Sequence, residues 1–128
     1  MALPDITSRG DIQYLVETFY KHVHSDPLLA PVFVMPEEQF QRHLTRTINF
    51  WENWLFQTGA YDGGMMWVHL EKHQEHPMTK DHFEHWLAWW FHTVNSHFSG
   101  EKADFVKEKA LEIGNIMLIR LNRQPSTP

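Results

Sequence analysis

The sequence predicts an all-α fold in a single domain, and three observations support this prediction. Apolar residues recur at the spacing of a helical face in several segments, and no segment of useful length alternates with the period of a β-strand. Pro or Gly residues separate these segments, as expected for short loops between helices. The 128 residues match one domain in size, which we expect to span 1–128, with a lead-in over about 1–10 and a flexible tail over 122–128.

The first half of the chain is expected to form two long helices. Asp11 is the expected N-cap of the first, which ends at Asp26 because Pro27 disfavours helical geometry in the residue before it. One or two helical turns follow over 28–33, and the second helix begins at Pro36 and runs to about Thr58. The first helix has one apolar stripe, and the second has two and is therefore expected to be sandwiched. The stripes are Ile12, Leu15, Val16, Phe19, Tyr20 and Val23; Phe40, Leu44, Ile48, Trp51 and Leu55; and His43, Thr47, Phe50 and Trp54.

The second half is expected to form a short helix over about 65–75 and two longer ones. Thr79 can cap the first of the longer helices, which Ser99 and Gly100 close, with Gly100 in a left-handed conformation. The last helix begins near Glu101. The apolar stripes of these two helices are Phe83, Trp86, Leu87, Trp90, Val94 and Phe98, and Val106, Ala110, Ile113 and Met117.

The composition excludes several classes of function. Without cysteine, the chain has no disulfide, thiolate nucleophile or cysteine-ligated metal. A net charge of −5 with scattered Lys and Arg argues against a nucleic-acid partner. No apolar run approaches the roughly 20 residues that span a bilayer, and no signal peptide is visible. We therefore expect a cytoplasmic protein without a membrane partner.

The chain combines ten histidines with six tryptophans, nine phenylalanines and three tyrosines. Such a helical domain, with imidazoles on the apolar faces, fits a flat apolar ligand that carries a metal at its centre. The ordinary alternative is a large aromatic core with surplus histidines on the surface. His69 lies in the most apolar surroundings, Met65-Met66-Trp67-Val68-His69-Leu70. A haem iron takes one neutral imidazole from a helix that faces an apolar slot, but a core histidine bonded to a backbone carbonyl would have the same pattern.

Other rings on the predicted stripes leave similar alternatives open. Tyr20 needs a partner for its buried hydroxyl, which is either a structural group or a bound ligand. Trp86 has an indole N–H that can only donate, and Phe33 is either a core residue or a ring that stacks on a planar cofactor. Histidine pairs such as His69/His73 and His82/His85 have chelating spacing, but no HExxH motif accompanies them, so zinc or copper binding is the minor alternative.

In their order and spacing, these segments resemble the truncated (2-on-2) haemoglobins, specifically group III, from about residue 12 to residue 121. The resemblance rests on Phe19-Tyr20-Lys21-His22-Val23, on the segment from Asp26-Pro27 to Pro31-Val32-Phe33, on 43–51 and on 82–87. The family's proximal histidine follows a Tyr-x-Gly turn and a Met-rich turn. The matching segment here is Tyr61-Asp62-Gly63-Gly64-Met65-Met66-Trp67-Val68-His69.

The resemblance implies a 2-on-2 helical sandwich around haem b (iron protoporphyrin IX), with His69 as the proximal ligand of the iron. In shorter members of the family, fewer residues separate the proximal histidine from the segment that follows it, and that spacing would select His73 instead. The distal residues implied are Tyr20, His43 and Trp86. Contacts to the cofactor are implied for Phe33, Arg46, which would reach a propionate, and Met66.

The family's function implies binding of O₂, NO or other small ligands at a five-coordinate iron, with Tyr20 and Trp86 as hydrogen-bond donors. Redox chemistry on NO, peroxide or nitrite, as in an NO dioxygenase or a peroxidase, is left open and would need a reductase as partner. Two other classes remain as alternatives: a cofactor-free helical interaction module and a histidine-rich metal binder.

Overall fold

The computed structural model describes residues 2–56 and 79–123, and every regular element in these two stretches is a helix. The helices are α1 (Arg9–Ser25), α2 (Glu37–Phe56), α3 (Lys80–His97) and α4 (Glu101–Arg123), with one turn of 3₁₀ helix at Ala30–Phe33. The all-α prediction is confirmed, while the helix expected over 65–75 lies outside the described residues. None of the described helices is long and apolar enough to cross a membrane.

Helix α1 buries the predicted stripe but begins earlier than predicted. All six residues of the stripe are buried. The N-cap is Ser8, whose hydroxyl accepts a hydrogen bond from the backbone N–H of Asp11 at 3.2 Å. The expectation that Asp11 is the N-cap is therefore wrong. Asp11 is the third helical residue, and its carboxylate accepts a bond from the backbone N–H of Thr7 at 2.9 Å, as an acidic side chain in the first turn can.

The corner after α1 is held by a buried carboxylate. Helix α1 ends at Ser25, as Pro27 predicts, and Asp26 is only 7% exposed. One oxygen of Asp26 accepts the backbone N–H groups of Leu28 and Leu29, at 2.8 and 3.3 Å. The other oxygen bonds to His85 and Trp89 of α3. Asp26 therefore links the backbone of this corner to a helix that is distant in the sequence.

Helix α2 follows Pro36, whose carbonyl accepts the backbone N–H of Phe40 at 2.9 Å. Both predicted stripes contribute buried residues, but Trp54 is 44% exposed although the pattern placed it on an inner stripe. Its ring is covered instead by the ammonium group of Lys109, 4.1 Å from the ring centroid. A cation over an indole face is a favourable arrangement for a tryptophan at the surface.

The corner between α3 and α4 is closed by the N-terminal residues. Thr79 caps α3 as predicted, with its backbone N–H donating to Nδ1 of His82 at 2.9 Å. Gly100 has a φ of +134°, and directly after it the carboxylate of Asp5 accepts the backbone N–H groups of Lys102 and Ala103, at 3.0 and 2.9 Å. We call residues 4–6 the N-terminal strap. Ile6, its last residue, is fully buried.

Trp90 of α3 lies in the core and contacts the other three described α-helices. Its ring stacks on Trp51 of α2, with centroids 5.2 Å apart, and meets the ring of Phe19 of α1 edge-on at 5.1 Å. Its indole N–H donates to the backbone carbonyl of Val106 in α4 at 3.0 Å. Helix α1 thereby packs against both α2 and α3, and the rings that could bind a ligand project from these three helices.

Candidate functional site

Two polar side chains meet inside the apolar contact between α1 and α2. The hydroxyl of Tyr20 and Nε2 of His43 share a hydrogen bond of 2.5 Å, and each residue is only 3% exposed. The sequence placed both on inner stripes but gave no sign that they touch, because 23 residues separate them. The structure brings together two of the three residues expected on the distal side.

Aromatic rings enclose this pair. The rings of Phe33, Phe40 and His43 lie 5.7, 5.6 and 5.3 Å from that of Tyr20, all edge-on. Phe33 also contacts the ring of His43 at 6.1 Å and is 4% exposed. Phe33 therefore lies beside the polar pair.

Burial raises the pKa of the Tyr20 phenol, and a hydrogen bond with Thr47 opposes only part of that rise. A phenol with a raised pKa keeps its proton throughout the physiological range. Tyr20 is consequently a permanent hydrogen-bond donor in an apolar environment, which is the property required of a group that stabilises a polar ligand there.

Trp86 holds a polar atom that the described residues leave unsatisfied. Its indole Nε1 is buried and has no hydrogen-bond partner among them. The ring contacts Phe19 edge-on at 6.0 Å, and Phe19 contacts Tyr20 at 5.0 Å, so one phenylalanine links the two expected donors. Buried indole N–H groups almost always have a partner, so an unsatisfied one calls for an explanation.

The other expected cofactor residues fall outside this group or outside the described chain. Arg46 is exposed one turn after His43, where it lines a surface recess of about 300 Å³ with Gln41, Arg42 and Thr45. The guanidinium is available to an anionic group at the surface but does not contact the Tyr20–His43 pair. Met66 and His69, and His73 as the alternative register, lie outside the described residues.

A second recess, of about 310 Å³, leads from the surface to the ring of Tyr20 between α1 and α2. Lys21 and Glu17 provide charge beside it, while Phe40 and Leu44 provide apolar surface. The ring of Phe40 lies 4.8 Å from that of His24, which also belongs to the lining. This recess therefore reaches the side chain that carries the buried phenol.

Sequence reasoning missed the polar group around Asp26. It treated Asp26 as a helix end and considered His85 as a member of a histidine pair with chelating spacing. In the structure, one carboxylate oxygen of Asp26 bonds to Nδ1 of His85 at 2.8 Å and accepts the indole N–H of Trp89 at 2.9 Å. An aspartate next to a proline suggests a turn, but contacts across 59 and 63 residues have no local signal.

Within residues 2–56 and 79–123, no three histidine or acidic side chains converge to form a metal site. The His82/His85 pair therefore does not belong to a zinc site with three or more protein ligands in this part of the chain. His82 instead belongs to the cap of α3, and His85 to the hydrogen bonds of Asp26.

Comparisons with known proteins find a curated relative and a solved structure that are similar to this chain. Over 112 residues, the chain is 28% identical to a group 3 truncated haemoglobin of Campylobacter jejuni, which covers 84% of this chain and 86% of that protein. The crystal structure of a group III truncated haemoglobin from Campylobacter jejuni superposes with a TM-score of 0.79 at 26% identity, over 94% of this chain and 95% of the other. No family model matches the sequence. The resemblance and the fold class drawn from the sequence are thereby confirmed.

Proposed function

We propose that this chain, which has the truncated-globin fold and is homologous to the group III truncated haemoglobins, binds haem and, through it, small ligands such as O₂ or NO. In this proposal, the cofactor is haem b and His69 is the protein ligand of its iron. Tyr20 and Trp86 donate hydrogen bonds to the small ligand, and His43 lies beside them. We further propose a cytoplasmic location.

One observation carries the proposal: the indole N–H of Trp86 is buried without a partner among the described residues, one ring away from Tyr20. Leaving a buried donor unsatisfied costs about 1–3 kcal/mol. A bound ligand with a partially negative atom would satisfy this donor. When bound, haem would supply an iron with an open coordination position for such a ligand.

The residues around this donor fit an apolar cofactor with a polar ligand. Phe33 provides a buried ring beside the Tyr20–His43 pair, and we propose that it packs on the haem together with Met66. The exposed guanidinium of Arg46 can bind a propionate, since Arg forms charge-assisted hydrogen bonds with carboxylates.

Tyr20 and His43 would act as a pair in ligand binding. Nε2 of His43 lies 2.5 Å from the phenol oxygen of Tyr20. A ligand that carries partial negative charge competes with His43 for the phenol, so each binding event replaces one hydrogen bond by another. Two strong donors favour slow release, which suits ligand chemistry or sensing more than delivery. Redox chemistry on NO, peroxide or nitrite, supported by a reductase, is part of the proposal.

The test is haem retention in the purified protein. We expect a red protein with a Soret band, and His69→Gly is expected to lose or sharply weaken haem binding because the iron loses its protein ligand. His73→Gly is the matched control and is expected to retain haem. A colourless wild-type protein that does not take up added hemin would refute the function. Loss of haem in His73→Gly but not in His69→Gly would instead refute the assignment of His69.

A further inference from the structure

A second cluster of rings lies where α1 packs against α3, apart from the Tyr20–His43 pair. The ring of His22 stacks on that of Trp89, with centroids 4.6 Å apart and planes 4° apart. His92, one turn along α3, meets His22 edge-on at 5.4 Å and Trp89 edge-on at 5.6 Å. Two imidazoles from different helices are thus neighbours at the surface.

A buried carboxylate holds this cluster in place. Asp26 accepts the indole N–H of Trp89 at 2.9 Å and is itself fixed by the backbone N–H groups of Leu28 and Leu29. Trp89 is therefore anchored at its polar edge, and its face supports the ring of His22. Ligands whose orientation is fixed by a supporting shell lose less conformational entropy when they bind a metal.

The surroundings of His22 lower the pKa of its imidazole. Burial lowers the pKa of His22, and the neighbouring His92 and His97 lower it further. A neutral imidazole presents a free nitrogen lone pair, whereas a protonated one cannot bind a metal. The chain has no cysteine that would compete for a metal as a thiolate.

The distance between the two rings fits a shared ion. With metal–nitrogen bonds of about 2.0 Å, the centroids of two imidazoles on one ion lie roughly 4.5–6 Å apart, depending on the angle at the metal. The 5.4 Å between His22 and His92 falls within this range. Because no third histidine or acidic side chain of the described chain joins them, water would complete the coordination.

We propose that His22 and His92 bind a divalent transition-metal ion through one ring nitrogen each. Imidazole nitrogen suits Zn²⁺, Ni²⁺ and Cu²⁺, and Cu²⁺ binds most tightly to a given set of nitrogen ligands in this series. The site is open to solvent and holds the ion by two protein ligands. Metal binding at this site does not require haem, so an experiment can refute this proposal without refuting the proposed function.

The test uses Cu²⁺ as the probe on the full-length protein at pH 7. We expect the electron paramagnetic resonance spectrum at one equivalent to show coupling to two nitrogen nuclei. His22→Gln and His92→Gln are each expected to weaken Cu²⁺ binding, measured by calorimetric titration, by about tenfold or more, and to reduce the coupling to one nitrogen.

His24→Gln is the matched control, because His24 is another histidine of α1 but packs against Phe40, on the side of α2. This substitution removes a histidine that lies outside the cluster. It is expected to leave the Cu²⁺ affinity and the number of coupled nitrogen nuclei unchanged. Equal affinity and an equal nitrogen count in wild type, His22→Gln and His92→Gln would overturn the proposal. So would a loss in His24→Gln as large as in the other two variants.

Discussion

The side chain of Asp26 forms hydrogen bonds with three different parts of the protein. Its two oxygens bind the backbone after α1, the imidazole of His85 and the indole of Trp89. Burial alone would raise the pKa of this carboxyl, but these hydrogen bonds outweigh it and lower the pKa from 3.8 to about 2. The charged form is therefore the one that the fold stabilises.

This shift predicts how the stability depends on pH. Because the folded-state pKa lies below the unfolded-state value, the charged carboxylate stabilises the fold above about pH 4, and that contribution is lost as the pH falls towards about 2. Asp26→Asn is expected to lower the free energy of unfolding at pH 7 by about 2 kcal/mol and to flatten its dependence on pH between 4 and 2. Urea unfolding at several pH values measures both effects. Glu38→Gln, which removes an exposed carboxylate, is expected to change neither.

Tyr20 gives a prediction about ligand release that rests on the proposed function. Tyr20→Phe removes the donor while keeping the ring, so the O₂ dissociation rate of the haem-loaded protein is expected to rise roughly 5- to 150-fold, for a hydrogen bond of about 1–3 kcal/mol. Stopped-flow spectroscopy measures this rate. Tyr14→Phe is the control, since Tyr14 is half exposed and packs on His97. An unchanged rate in Tyr20→Phe would show that this phenol does not contact the ligand.

At the scale of the elements, the corner between α3 and α4 depends on one glycine. Gly100 combines a φ of +134° with a close approach of Asp5, whose Cγ would lie 2.6 Å from an added Cβ. A side chain here meets both backbone strain and a clash, and Asp5 cannot move away without losing its bonds to the start of α4.

Gly100→Ala is therefore expected to lower the free energy of unfolding by about 1–3 kcal/mol. Asp5→Ala should lower it by about 1 kcal/mol, as for loss of a helix cap. The cost of Gly100→Ala should shrink in the Asp5→Ala background, because the two shortest contacts, with the carboxyl group of Asp5, are gone, whereas the backbone strain and the 2.9 Å contact with the Cβ of residue 5 remain. Chemical denaturation of the wild type, the two single variants and the double variant measures this difference in free energy.

Gly114→Ala is the matched control for this substitution. Gly114 lies inside α4, and an added Cβ there would make an ordinary contact of 3.4 Å with a methyl group of Leu87. Replacing a glycine within a helix by alanine should raise the free energy of unfolding by about 0.5–1 kcal/mol. Equal losses at Gly100 and Gly114 would contradict the account of the corner.

Local patterns predicted the helices well because their period and end signals lie within a few residues. The stripe of α1, its end before Pro27 and the cap at Thr79 are all confirmed. The start of α1 was misjudged because Ser8 and Asp11 are both good capping residues three positions apart, and only the geometry shows which one is the cap.

The arrangement of the candidate site was harder to predict. Tyr20, His43 and Trp86 were chosen by resemblance, and no local pattern shows that the first two touch or that the indole N–H of the third has no partner among the described residues. The group around Asp26 was missed for the same reason. Contacts between distant segments are set by how the helices pack, which the period of a stripe does not encode.

At the scale of the whole molecule, the core is centred on Trp90, which contacts α1, α2 and α4 from its position in α3. Trp54, by contrast, lies at the surface under Lys109. The two tryptophans therefore allow the same substitution to be compared at the centre and at the edge of the fold.

Trp90→Phe is expected to lower the free energy of unfolding by about 2–4 kcal/mol, because it leaves a cavity and removes the hydrogen bond from the indole N–H to the carbonyl of Val106. Trp54→Phe should cost less than about 1 kcal/mol, since a phenylalanine ring keeps much of the contact with Lys109. Urea denaturation followed by circular dichroism measures both. Similar costs at the two positions would show that Trp90 is not the centre of the core.

The bonds from Asp5 to α4 also have a consequence during synthesis, because they join residues 97 and 98 positions apart. At roughly 5–20 residues per second, a ribosome needs about 5–20 seconds to add Lys102 and Ala103 after Asp5. The N-terminal strap is thus made well before the helix to which Asp5 bonds. During that interval these bonds cannot hold Ile6, the residue after Asp5, in its fully buried position.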